Sequence, residues 1–233
     1  LAPGVLKTFK KQFKQMLNDF LDLEGIKELI NFKKLIDIVT NLTSIKIDYE
    51  EIDGKKHLSL FKEFSSKSDK VREIINLAYE KAFQKTDRIT YQAMEAFIHN
   101  LNTMHSRAGA QVPFSSLNYG TDTSCEGRMV IKALLESTIE GLGDGQTPIF
   151  PIQIFKVKSG VNYNPTDPNY DLFKLAILTS GKRLFPNFSF LDAPYNLQYY
   201  KEGDYRTEIA YMGCRTRVIA NEYDKSREVV TGR

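Results

Sequence analysis

Cys125 and Cys214 are the only thiols in this 233-residue chain, and Cys214 stands in the setting that most invites chemistry. In AYMGCRTRV, residues 210–218, a strand-like run through Met212 leads into a glycine, the cysteine and Arg215 and Arg217. Such a cysteine can be filler, a metal ligand, a nucleophile or a redox centre. Neither cysteine belongs to a CxxC pair, and the histidines are His57, His99 and His105 alone, so no metal site is expected. A hydrolytic nucleophile needs a histidine base and an orienting group. His105 is the one attractive base, and its surroundings match no cysteine-hydrolase signature. Arg215 and Arg217 would favour the thiolate if they lay beside the sulfur. Alternation along an extended chain instead sends them to the opposite side. On residue type alone, a buried and inert cysteine is the simpler account.

Two other stretches are dense in polar chemistry. NLNTMHSRAGAQVPFSSLNYGTDTS, residues 100–124, supplies asparagines, hydroxyls, His105 and Arg107. Asn, Ser and Thr hydrogen-bond sugar hydroxyls and phosphates without moving protons, and an arginine fork can clamp an anion. His105 can equally be a polar residue capping a helix end. In KRLFPNFSFLDAPYN, residues 182–196, alternation puts Asn187 and Ser189 on one side and Phe188 and Phe190 on the other, so the aromatics are expected in the core. Asp192, ahead of Ala-Pro, reads as a turn residue. Gly141-Leu-Gly-Asp-Gly145 has a superficial likeness to a dinucleotide loop, but it follows a helix and precedes a strand, the wrong order for that motif. It reads as a turn with a glycine helix stop.

The elements that must position these residues change character along the chain. Phe9, Phe13, Met16, Leu17 and Phe20 repeat at helical spacing after Pro3 and Gly4. A second helix is expected over about 26–43, and a hairpin around Asp53-Gly54. Residues 68–85 read as a third helix, with Thr86 or Asp87 capping a fourth whose stripe is Met94, Phe97, Ile98, Leu101 and Met104. Residues 1–104 are thus a mainly helical region, and helices with residual apolar surface often pair with another subunit. From 105 to 233, strand-like segments at 109–120, 147–158, 184–193 and 207–213 alternate with helical ones at 127–143 and 169–183. That alternation argues for an α/β fold with parallel βαβ units.

Composition sets outer bounds. A hydrophobic fraction of 42% and a charged fraction of 26% suit a soluble globular protein, and a net charge of +3 is too small to argue for direct nucleic-acid binding. No apolar run could cross a bilayer, and sparse cysteines make a reducing cytoplasm the expected location. The chain starts LAPGVLK without methionine and stops at VVTGR, so it is expected to be cut from a longer protein.

Five blocks in order, IHNLNTMHSRAGAQVPFSSLNYGTDTS, EGLGDGQTPIFPIQIFKVKSGVN, DPNYDLFKLA, KRLFPNFSFLDAPYN and YMGCRTRV, resemble the catalytic core of the anaerobic (class III) ribonucleoside-triphosphate reductases, which are glycyl-radical enzymes. The resemblance is dense from about Ile98 to Val218. It implies part of a ten-stranded α/β barrel threaded by a finger loop, with Cys214 at the loop tip as the transient thiyl radical that takes the ribose 3′ hydrogen. Met212, a soft and polarizable neighbour, is a possible support. Aerobic relatives of this barrel carry a glutamate two residues after the radical cysteine; Thr216 stands there, in keeping with formate as external reductant. Asn102, His105, Ser115, Ser116, Asn118 and Asn187 are expected to contact the ribonucleoside triphosphate. The resemblance further implies a radical-SAM activating enzyme and a homodimer regulated by ATP or deoxynucleotide effectors on the helical region. The family's cone domain, its glycyl-radical segment with a zinc module, and a second active-site cysteine have no match here, and Cys125 reads as a packing or surface residue. The expectation is therefore an incomplete, inactive piece of such a reductase. The rival readings are a non-catalytic nucleotide-binding module, or another glycyl-radical enzyme acting on a small carbon substrate.

Overall fold

Helical spacing of apolar residues builds the first part of the chain as expected. In the computed structural model, which describes residues 1–66, 68–104, 111–213, 216–220 and 228–231, α1 (Ala2–Leu23) buries Val5, Phe9, Phe13, Leu17 and Leu21. Pro3 sits in its first turn, where a missing N–H costs nothing. Met16 and Phe20 lie half-buried at the margin of the stripe. The expected second helix is shorter than read: a 3-10 turn at Lys27–Leu29 precedes α2 (Phe32–Thr40), which starts where Asn31 accepts from the Lys34 amide at 3.1 Å. β1 (Tyr49–Ile52) and β2 (Lys55–Leu58) form the antiparallel hairpin, with Asp53 and Gly54 both at positive φ, 50° and 72°, as a type I′ turn requires. α3 (Lys62–Ser65) follows.

α4 (Asp69–Thr103) corrects the sequence reading, because one 35-residue helix replaces two. Thr86 does not cap a new helix. Its hydroxyl donates to the Ala82 carbonyl at 2.7 Å, the back-bond that accommodates a threonine inside a helix. No glycine or proline interrupts the run.

The chain divides into two compact units, one of residues 1–90 with 124–130, the other of residues 91–123 with 131–233. The boundary read from the sequence, at residue 104, falls inside the second. In the first unit, Tyr79 packs edge-on against Phe9 and Phe13, with ring centroids 5.8 and 5.9 Å away. Its hydroxyl donates to the Ile45 carbonyl at 3.0 Å.

The second unit carries the expected βαβ alternation. β3 (Ser116–Tyr119), β4 (Ile152–Val157) and β5 (Asn187–Phe190) form a parallel sheet in the order β3-β4-β5, connected by α5 (Cys125–Glu140), whose residues 125–130 are counted with the first unit, and by α6 (Tyr170–Arg183). Its core joins Ile131 and Leu135 of α5, Phe155 and Val157 of β4, and Leu172 and Ala176 of α6. Gly141 stops α5 at φ 81°, as the glycine-rich turn predicts; a Cβ there would lie 2.5 Å from the Gln146 carbonyl oxygen. Arg183, at the end of α6, caps α5: its guanidinium donates to the Ile139 carbonyl at 2.8 and 2.6 Å, to Glu140 at 3.0 Å and to Gly145 at 2.5 Å. After α7 (Pro194–Leu197), a separate antiparallel sheet follows, in the order β6 (Ala210–Met212), β7 (Thr216–Ala220) and β8 (Glu228–Thr231). The α/β class holds, and the parallel sheet has three strands among the described residues. No helix among the described residues is long and apolar enough to cross a membrane.

Candidate active site on the polar face of the parallel sheet

Strand alternation gives the parallel sheet two unlike faces. Tyr119, Phe155, Val157 and Phe188 meet the helices. Gln153 joins them there, accepting from the Tyr119 hydroxyl at 2.6 Å and donating to the Thr138 hydroxyl of α5 at 2.9 Å. Burial pushes the Tyr119 phenol well above its ordinary range. Ser116, Asn118, Ile154, Lys156, Asn187 and Ser189 occupy the opposite face. The register sets Asn118, Ile154 and Asn187 in one row and Lys156 beside Ser189 in the next. Asn187 and Ser189 therefore share a side, as alternation predicts. Phe188 fills the core, but Phe190 does not: it ends an outer strand of this sheet and is 46% exposed.

β6 is tied to the polar face by side chains. The Asn118 Oδ1 accepts from the Tyr211 amide at 2.8 Å, and its Nδ2 donates to the Tyr211 carbonyl at 2.7 Å. The Gly213 amide donates to the Ser116 hydroxyl oxygen at 3.1 Å. Just before β6, Glu208 pairs with Lys156 at 2.9 Å and with Lys158 at 3.6 Å, all three side chains largely shielded from solvent. Ser116 and Asn118, read from the sequence as substrate contacts, are thus engaged in holding β6. On its other edge β6 pairs with β7, Met212 opposite Thr216. The link between these strands, residues 213–215, contains Cys214. Cys214, Arg215 and His105 lie outside the described residues. Met212 is half-exposed at the end of β6, and Gly213 takes a left-handed φ of 65°.

The remaining named residues fall in different places. Asn102, near the end of α4, has its amide filled: Oδ1 accepts from the Ile149 and Phe150 amides at 2.8 and 3.0 Å, and Nδ2 donates to the Phe150 and Ile98 carbonyls at 2.6 and 2.7 Å. Three of these bonds fix the approach to β4, and the fourth is a back-bond within α4. Asn187 stands exposed at the head of β5. The hydroxyl oxygens of Ser115 and Ser189 are buried without a partner among the described residues. Asp192 lies in a turn, accepting from the Ser159 amide at 2.6 Å.

Two positioning residues escaped the sequence reading. Asn162 and Asn169, both fully buried, fasten the ends of β3 and β4. The Asn162 Nδ2 donates to the Gly120 carbonyl at 3.0 Å and to Lys156 at 2.9 Å, while its Oδ1 accepts from the Lys158 amide at 2.9 Å. Asn169 Nδ2 reaches Gly120 at 3.2 Å and Asp122 at 2.9 Å. Gly120 fits because it lacks a side chain: a Cβ would lie 2.8 Å from the Lys156 oxygen. In sequence both asparagines sit in the Asn- and Pro-rich run 162–169, which resembles an ordinary turn. Their only signal was asparagine in the loop between a strand and the next helix, Asn169 standing directly before α6. Cys125, at the start of α5, is half-buried; burial first, then the charge of Glu126, pushes its thiol up. No group of His, Cys, Asp and Glu among the described residues could hold a metal ion.

The site can therefore hold a short strand against a polar sheet face on which Lys156 is paired with Glu208. Comparison with known proteins gives this arrangement a context. The family described as anaerobic ribonucleoside-triphosphate reductase matches residues 10–233. The chain is 36% identical over 157 residues to the anaerobic ribonucleoside-triphosphate reductase of Enterobacteria phage T4, covering 67% of this chain and 25% of that protein. The protein of the same name from Haemophilus influenzae is 30% identical over 196 residues, covering 84% of this chain and 25% of the relative. That from Escherichia coli is 31% identical over 153 residues, 65% of this chain and 20% of the relative. This chain thus spans a quarter or less of the length of these curated relatives.

Proposed function

The chain belongs to the anaerobic ribonucleoside-triphosphate reductase family, and on that premise we propose that it carries the substrate-facing sheet and the radical cysteine for reduction of ribonucleoside triphosphates to 2′-deoxyribonucleoside triphosphates. The observation that carries the reading is the β6–β7 hairpin, pinned at Tyr211 and Gly213 to the polar face, whose link contains Cys214. In this reading the parallel sheet is one part of a ten-stranded barrel and the hairpin is its finger.

The chemistry assigned to the chain is hydrogen-atom transfer. A Cys214 thiyl takes hydrogen from the ribose C3′: the C3′–H bond breaks, an S–H bond forms, and the carbon is left with the unpaired electron. The 2′-hydroxyl then leaves as water, formate supplies two electrons and becomes carbon dioxide, and the hydrogen returns from sulfur to C3′. The sum is ribonucleotide, formate and a proton giving deoxyribonucleotide, carbon dioxide and water. A glycyl radical supplies the oxidising equivalent that starts the cycle. The neutral groups before Cys214, namely the Ser116 hydroxyl, the Asn118 amide and the Met212 thioether, suit a step that moves no net charge. Asn187 and Ser189, further along the same face, are the described side chains best placed for a nucleotide. The reading also takes in a radical-SAM activating partner, and a homodimer whose helical region binds ATP or deoxynucleotide effectors.

The test uses the full-length enzyme, activated without oxygen and assayed for formate-dependent deoxynucleotide formation. Cys214→Ala is expected to abolish turnover while nucleotide binding persists. Undiminished reduction by that variant would overturn the assignment.

A further inference from the structure

We propose that Asn118 and Ser116 are positioning residues that fix the chain from Tyr211 to Gly213, the residue directly before Cys214; the inference rests on the radical reading of Cys214 given above. Among the described residues, β6 has a backbone ladder only with β7. Toward the parallel sheet, its peptide groups are met by side chains of β3. One asparagine amide serves both the N–H and the C=O of Tyr211, at 2.8 and 2.7 Å, acting as a peptide group in miniature. Two residues further on, the Gly213 amide, directly before Cys214, is taken by Ser116 at 3.1 Å. The spacing is matched: Ser116 and Asn118 are two apart on one face of β3, and Tyr211 of β6 and Gly213 just past its end are also two apart. Each pair therefore spans about 6.6 Å of extended chain. Gly213 then turns the chain at φ 65°, a direction that a side chain would make strained.

The pins act through geometry. Hydrogen-atom transfer needs the reacting atoms roughly 3–3.5 Å apart, and a displacement of about 1 Å can cost about 100-fold in rate. Loss of a pin leaves the parallel sheet intact and loosens the strand that leads to Cys214. The chemistry of the Asn118 bond predicts an order of severity. Asn118→Ala removes both bonds. Asn118→Asp keeps an acceptor for the Tyr211 amide but sets a carboxylate oxygen against the Tyr211 carbonyl, with no hydrogen between them, and is the more damaging. Ser116→Ala removes one bond; Ser116→Thr restores the hydroxyl.

The experiment uses the full-length, anaerobically activated enzyme with ATP as substrate and as its 3′-deuterated form. Expected are a kcat lowered roughly 10- to 100-fold in Asn118→Ala, more in Asn118→Asp and less in Ser116→Ala, with recovery in Ser116→Thr. The nucleotide KM and the glycyl-radical signal before substrate is added stay unchanged, and the 3′-deuterium isotope effect on kcat increases because hydrogen transfer has become slower. An unchanged kcat and isotope effect in the Asn118 and Ser116 variants would overturn the proposal. So would an activity loss wholly accounted for by lost radical or lost nucleotide binding. If the Asn118 variants fail to fold, the Ser116 pair decides. Retained reduction by Cys214→Ala sinks the underlying reading; normal Asn118 and Ser116 variants beside a dead Cys214→Ala sink only the positioning.

Discussion

Replacing Asn162 with alanine tests how the ends of β3 and β4 are held. The side chain is fully buried and makes hydrogen bonds to Lys158 N, Lys156 O and Gly120 O. In Asn162→Ala the Gly120 carbonyl keeps the Asn169 amide, so two backbone groups lose a partner away from water. Each such loss costs about 1–3 kcal/mol, which puts the total at about 3 kcal/mol. For a domain of this size that is roughly a 6–12 °C fall in Tm, measurable by thermal unfolding. Asn162→Ala and Asn169→Ala together should cost more than the sum of the singles, because only then is the shared Gly120 carbonyl stripped of both donors. Asn162→Asp adds a pH signature. Its carboxyl can still accept from Lys158 N, but it faces the Gly120 and Lys156 carbonyls, so burial raises its folded pKa above the unfolded value. The folded state then holds the proton more tightly, and stability is greatest at low pH and lost as pH rises through that folded pKa. A Tm within about 2 °C of the parent for Asn162→Ala would refute the reasoning.

Arg183→Ala should destabilise by about 2–3 kcal/mol through loss of charged bonds to the last carbonyls of α5, with Arg183→Lys recovering only part because it lacks the planar fork; equal melting of all three proteins would count against the cap. Cys125 should react with iodoacetamide more slowly than a free thiol at pH 8, gaining speed only at higher pH, because burial and Glu126 raise its pKa. Peptide mapping in a Cys214→Ala background reads this site alone, and a rate equal to that of the free thiol contradicts the shift.

What was legible in the sequence is what local periodicity governs. Phe9, Phe13 and Leu17 announce α1, Asp53-Gly54 announces its hairpin, and the β–α alternation announces the parallel sheet. The same logic puts Asn187 and Ser189 on one face. The failures have physical causes too. Thr86 resembles a helix cap by type, yet a back-bond to Ala82 satisfies it equally well inside α4. Asparagine announces that it will hydrogen-bond but not with what: Asn118 meets a strand far along the chain, and Asn162 meets strand ends that only the folded topology brings to it. Asn118 was therefore named only as a substrate contact, and Asn162 was passed over. The role assigned to Cys214 comes from resemblance and that of His105 from its place in a polar stretch, and both residues lie outside the described structure.

The cap on α5 also constrains the order in which the second unit can form. The carbonyls that end α5 wait for a guanidinium 44 residues further along the chain. The last turn of the first crossover helix therefore frays until the second crossover helix has folded to its end. During synthesis, β3, α5 and β4 emerge before that cation exists, so the first βαβ unit is left unfinished by itself. The second crossover completes the first, and the two behave as one cooperative block rather than as successive modules.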